Sequence, residues 1–176
     1  MTRRRFAAGA AVLLAALAAG CATPTKPESM VAARADPVHQ SRESVAIAVA
    51  GGSETSAVRT AQISDQAFAQ ALRDSIEKSR LFAGVGDAGT YRLQAFISRV
   101  SQPTFGFDMT VGLEVGYTLV DSRSGHPALR KNIATQHTAT TGDAIVGVDR
   151  VRVATEGAAR KNIEQFIDEV SKLRLD

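Results

Sequence analysis

Met109-Thr110-Val111-Gly112-Leu113-Glu114-Val115-Gly116-Tyr117-Thr118-Leu119 alternates without a break between apolar and polar or small side chains. Met109, Val111, Leu113, Val115, Tyr117 and Leu119 fall on one side and Thr110, Gly112, Glu114, Gly116 and Thr118 on the other, the period of two of a strand with one covered face. The stretch therefore predicts an interior strand of an antiparallel sheet. Its apolar face needs other elements to cover it. The opposite face, opened by two glycines, offers a docking surface.

The segments on either side supply partner strands. Tyr91 to Val100 places Tyr91, Leu93, Ala95 and Ile97 inward, while Phe96 breaks the alternation and either rims a second contact surface or marks a register change. Between the two strands, Phe105 and Phe107 flank Gly106. Aromatic side chains at a sheet end can seed contact with a protein or membrane, because taking their area out of water is favourable, or they can fold back over the core. Beyond the central strand, Asp121 to Pro127 reads as a turn and Leu129 to Ala139 as a returning strand. Ile133 suits a core, but Lys131, Asn132, Gln136 and His137 make this strand an edge. A partner could complete that edge by strand addition. Contact with a partner is expected near Ile133 to His137 or at Phe105 and Phe107.

Two amphipathic segments supply the covering layer. Ser64 can cap a helix starting near Asp65, along which Phe68, Leu72 and Ile76 recur at helical spacing until Leu81 and Phe82, before Gly84, Gly86 and Gly89. A second helix is expected from about Asp149 to Leu173, its stripe formed by Ala159, Ile163, Phe166 or Ile167, and Val170, with Gly157 allowing close packing or a bend. Val45 to Val49 forms a short first strand joined through a crossover around the first helix. The expected fold class is α+β, a two-layer sandwich in the order β-α-β-β-β-α, with a four-stranded mixed or antiparallel sheet and two helices on one face. The domain spans residues 43–176.

The N-terminus is of another kind. Arg3, Arg4 and Arg5 precede an apolar run from Phe6 to Ala19, which is a secretory signal pattern and too short for an ordinary membrane span. Cys21 is the only cysteine, so an intramolecular disulfide is excluded. Acylation would give that thiol a purpose; cleavage within the alanine-rich segment, or a retained anchor, are the alternatives. Residues 1–20 are read as the signal peptide and residues 21–42, with Pro24, Pro27 and Pro37, as the lipidated cysteine and a flexible tether. Removing the signal takes three arginines and no acidic residue, so the 21 basic side chains fall to 18 against 18 acidic ones. The basic whole-chain pI thus reports the signal, and the mature composition gives no case for nucleic-acid binding.

Leu17-Ala18-Ala19-Gly20-Cys21 resembles the bacterial lipobox, with Ala18 where leucine is usual. The resemblance implies cleavage after Gly20 and lipidation of Cys21. Ala22, in place of the aspartate of inner-membrane retention, implies an outer-membrane anchor, with the domain facing the periplasm. Ile63 to Phe68, Leu81-Phe82, Tyr91-Arg92-Leu93 and Ala158 to Ile163 resemble small Gram-negative envelope lipoproteins of the YajG type and, more distantly, the lipopolysaccharide-assembly lipoprotein LptE. That likeness implies an accessory in a larger envelope assembly, with an envelope protein as partner.

Catalytic patterns are missing from the sequence. His39, His126 and His137 lie far apart, with no metal-ligand spacing and no cofactor motif. Gly51-Gly52-Ser53 lacks the remainder of a phosphate-binding loop, and no nucleophile elbow or Ser-Lys pair occurs. The functional expectation is a noncatalytic outer-membrane lipoprotein that supports envelope assembly or binds an envelope protein. The alternative is a periplasm-facing module for a small lipid, glycan or peptide. The oligomeric state is left open.

Overall fold

The computed structural model describes residues 22–32, 40–56 and 61–175. The signal, Cys21 and His39 lie outside the described residues. The elements are α1 (Pro27–Met30), β1 (Ser44–Ala50), α2 (Asp65–Ser79), β2 (Gly84–Gly86), β3 (Tyr91–Ser101), β4 (Met109–Asp121), β5 (Pro127–Ala139) and α3 (Gly147–Ser171).

β4 is the strand that the alternation predicts. Val111, Leu113, Val115, Tyr117 and Leu119 are buried, each at 1% exposure or less. It pairs antiparallel with β3 on one side and along nearly all of β5 on the other. The full sheet has five strands in the order β2-β1-β3-β4-β5, with β1 parallel to both β2 and β3. This corrects the four-stranded expectation. β2 is only Gly84-Val85-Gly86, too short to show an alternation, and its glycines read as a helix stop.

Parallel neighbours need a crossover, which α2 supplies between β1 and β2. Ser64 caps α2, its Oγ accepting from the Ala67 N–H at 3.2 Å, and Arg80 closes it in the left-handed region at φ 55°. From β2 the chain then passes over β1 to reach β3. A Cβ on Gly89 would lie 2.8 Å from Ala46 N and Val45 C and 2.9 Å from Ser44 O. Only a residue without a side chain permits so close a crossing.

Phe68, Ala71, Leu72 and Ile76 of α2 and Val151, Ala154, Ala158, Ile163, Phe166 and Val170 of α3 complete the core with the inner sheet face. Phe166 stacks on Tyr117 with centroids 4.3 Å apart. The core also holds a polar network. The Tyr117 hydroxyl donates to Asn162 Oδ1 at 2.8 Å, and Asn162 Nδ2 donates to the Ile133 carbonyl at 2.9 Å and to Thr135 Oγ1 at 3.3 Å. Thr135 in turn donates to the Ala158 carbonyl, tying β5 to α3. Burial pushes the Tyr117 phenol well above its ordinary pKa, so it stays a donor.

The segment expected as a flexible tether is, over residues 25–32, part of the folded body. Met30 and Ala32 are buried in the core. The Lys26 N–H donates to Glu156 Oε1 at 2.9 Å, Arg160 Nη1 donates to the Ser29 carbonyl at 3.3 Å, and the Ala32 N–H donates to Ser75 Oγ at 2.9 Å. A single helical turn with two small anchors leaves no period to read. Because Lys26 sits at Glu156 and Ser29 at Arg160, the segment runs along α3 in that helix's own direction.

Candidate functional site

Three surfaces remain for function: the β5 edge, the outer sheet face, and the end of the sheet from which the β3–β4 and β5–α3 connections project. β5 is the long edge expected from its polar composition, thirteen residues paired on one side only. No further strand pairs with its outer side, where Asn162 Nδ2 and Lys161 Nζ of α3 donate to the Ile133 and Gln136 carbonyls and Arg130, Lys131, Asn132 and Gln136 stand exposed. Ile133 does not belong to a contact surface. It is 5% exposed, pairs with Val115 and joins the core, so its expected role as a contact residue is withdrawn.

His137 is half-buried rather than presented outward. Its ring fills the place where α3 has no side chain: a Cβ on Gly157 would come within 2.6 Å of three ring atoms. Gly157 thus allows close packing. Burial lowers the His137 pKa from its ordinary 6.5, and Lys161 and Arg160 lower it further, against an opposing pull from Asp143. The unfolded chain therefore takes up this proton first. Stability from this group is complete above 6.5 and is lost as pH falls toward the depressed folded value. We expect the melting temperature to fall between about pH 7 and about pH 5, and His137→Gln to flatten that slope. Thermal melts across the window check this; an equal slope in both proteins would contradict it.

The outer sheet face is small and mixed. Across the strands, Ala48, Gln94, Thr118 and Arg130 form one row, and Ala50, Phe96, Gly116 and Asn132 the next. Phe96 keeps its register and is 57% exposed; the slip falls just after it, between Ile97 and Arg99, where a bulge leaves Ser98 to bond the Glu114 carbonyl. Beside the bulge lies an open depression of about 380 Å³ bordered by Arg99, Ser101, Gly112, Glu114, Ala134 and Gln136. Arg99 and Glu114 meet there at only 4.0 Å, both well exposed. Such a depression cannot enclose a small molecule on most sides, nor does that pair form a strong charged anchor.

The sheet end is different. Phe105 is 87% and Phe107 85% exposed, as the sequence allowed, and they are joined by Ile145 at 91% and Val146 at 49%. The two loops are neighbours because Met109, where β4 begins, pairs with Ala139, where β5 ends. The second loop is firmly built. Asp143 accepts from the Thr140 N–H and hydroxyl at 2.7 and 2.9 Å, and Arg150 Nη1 donates to the Ala144 and Ile145 carbonyls. Those Thr140 hydrogen bonds also hold the Asp143 carboxyl below its ordinary pKa. From the sequence, Ile145, Val146 and Val148 must either pack locally or present a small apolar lip; Ile145 and Val146 do the latter, and their adjacency to Phe105 and Phe107 is set by pairing register.

Among the described residues no three His, Cys, Asp or Glu side chains gather as a metal site would require, and His126 sits exposed in the β4–β5 turn. Among the same residues no helix is long and apolar enough to cross a membrane.

No family model matches the chain, and no curated protein matches its sequence. Solved structures do share its fold. Protein XCC0632 from Xanthomonas campestris, of the family DUF330, superposes with a TM-score of 0.64 at 14% identity, over 85% of this chain and 95% of that one. The hypothetical protein CT253 from Chlamydia trachomatis gives 0.57 at 9% identity, over 75% and 97%. A candidate lipoprotein from Caulobacter crescentus gives 0.50 at 12% identity, over 72% and 87%. At these identities the likeness is one of fold.

Proposed function

We propose that this chain is a noncatalytic lipoprotein of the Gram-negative envelope, held at the outer membrane by acyl groups on Cys21, with its domain in the periplasm. The observation that carries the reading is the sequence Leu17-Ala18-Ala19-Gly20-Cys21 placed immediately before a folded body: Thr25 already donates to the Gln62 carbonyl at 2.9 Å. A lipid on Cys21 would thus hold the domain against the bilayer and raise its encounter rate with other membrane-bound proteins. The fold shared with the Caulobacter lipoprotein is in keeping with this. The long β5 edge, with which no further strand of this chain pairs, is the surface on which an envelope protein would add a strand, with Arg130 and Asn132 exposed along it.

Cys21→Ser tests the anchor. In cells, the wild-type protein should sediment with membranes and carry acyl mass on its first residue, whereas the variant should lose that mass. Wild-type protein in the soluble fraction with an unmodified Cys21 would defeat the proposal. In-cell crosslinking from Gln136 tests the edge. One dominant envelope-protein adduct is expected there, and none from Ser124 in the distant turn.

A further inference from the structure

We infer that the sheet end bearing Phe105, Phe107, Ile145 and Val146 rests in a lipid surface, as an apolar foot on which the anchored domain stands. The inference rests on the lipid-anchored reading and adds to it the orientation of the body. Three observations point to a bilayer as the occupant.

First, the N-terminal segment runs toward this end as it is followed back along α3. Followed backwards from Ser29 at Arg160 to Lys26 at Glu156, the N-terminal segment heads for the first turn of α3, which adjoins Val146. From Glu156 to that first turn is about 14 Å of helix, and the four residues from Lys26 back to Ala22 would span about the same length if extended. Cys21 is the next residue. Continued in that direction, a lipid on Cys21 would lie on the same side of the domain as the four apolar side chains.

Second, these four are all but one of the large apolar residues that stand exposed among the described residues; the exception is Phe96 on the sheet face. They sit on the tips of two adjacent loops instead of a flat surface. Taking such tips out of water is favourable, and the turn fastened by Asp143 and Arg150 holds Ile145 outward without further ordering.

Third, the two ends of the sheet differ in charge. Residues 102–108 carry one charged side chain, Asp108, and residues 140–146 carry one, Asp143, whose carboxylate is occupied by Thr140. At the opposite end, the β4–β5 turn carries Asp121 and Arg123, with Glu43 paired to Arg123 at 3.5 Å. The tips of the two loops thus carry less charge than the opposite turn, with exposed Glu54 and the Asp149–Arg152 pair set behind them at the same end.

The chain has no tryptophan, so an introduced one reports alone. The acylated protein, reconstituted in phosphatidylethanolamine–phosphatidylglycerol vesicles, would carry Phe105→Trp, Ile145→Trp or, in the opposite turn, Ser124→Trp. For the first two we expect blue-shifted emission that loses most of its intensity to brominated acyl chains and little to aqueous acrylamide. Ser124→Trp should behave in the reverse way. If the first two are quenched by acrylamide as readily as Ser124→Trp while the protein stays on the vesicles, the foot is refuted and the lipid anchor stands. Shielding that grows with protein concentration without vesicles would assign this end to a second copy and likewise overturn the inference. Protein that neither carries acyl mass nor binds vesicles would remove the anchor reading and the inference together.

Discussion

Asn162→Ala should lower the free energy of unfolding by about 3–5 kcal/mol, since it both deletes the centre of a buried network and leaves a void. Asn162 is fully buried and is the acceptor for the Tyr117 hydroxyl, while its amide reaches the Ile133 carbonyl and Thr135 Oγ1 on β5. Without it, a phenol that burial keeps protonated is left with no acceptor inside the core, a cost of about 1–3 kcal/mol by itself. Tyr117→Phe should cost only about 1 kcal/mol, because it removes the donor together with its need and keeps the ring on Phe166. The double variant should therefore cost less than the sum of the two. Urea titrations with an unchanged slope would measure all three; an Asn162→Ala loss below about 1 kcal/mol would show that the network contributes little.

Gly89→Val should be comparably damaging, at about 3 kcal/mol or more. The atoms that its Cβ would strike, Ala46 N, Val45 C and Ser44 O, are all backbone, and no rotamer change moves them aside. The β2–β3 crossing would have to lift off β1, taking with it the pairs of Ser44, Val45 and Ala46 with β2. Gly84→Ala, in the same strand-and-turn region, is the matched control. Nothing lies within 4 Å of its Cβ, so a change within about 0.5 kcal/mol is expected. Thermal unfolding of both variants separates this steric account from a general intolerance of side chains near β2.

The parts of the fold that could be read in advance are those with a sustained period. The alternation through β4, the apolar stripes of α2 and α3, and the Ser64 cap each involve many residues with one answer. The polar character of β5 likewise marks it as an edge. What escaped was short or set by register. β2 has three residues; α1 has one turn; and nothing local in Met30 or Ala32 announces that residues 25–32 close over α3. The site divides in the same way. Phe105 and Phe107 stand out as aromatic residues beside a glycine, whereas Ile145 and Val146 gain meaning only because Met109 pairs with Ala139. His137 lies on the edge strand as expected, but that its ring occupies the gap above Gly157 is a long-range fit that no spacing rule contains.

The seating of residues 25–32 against α3 fastens the beginning of the chain to its end, across a separation of 130 residues between Lys26 and Glu156. During synthesis, then, residues 25–32 have no groove to occupy until the last helix has emerged. A product truncated before Arg160 would lack the donor to the Ser29 carbonyl and most of the helix on which this segment seats.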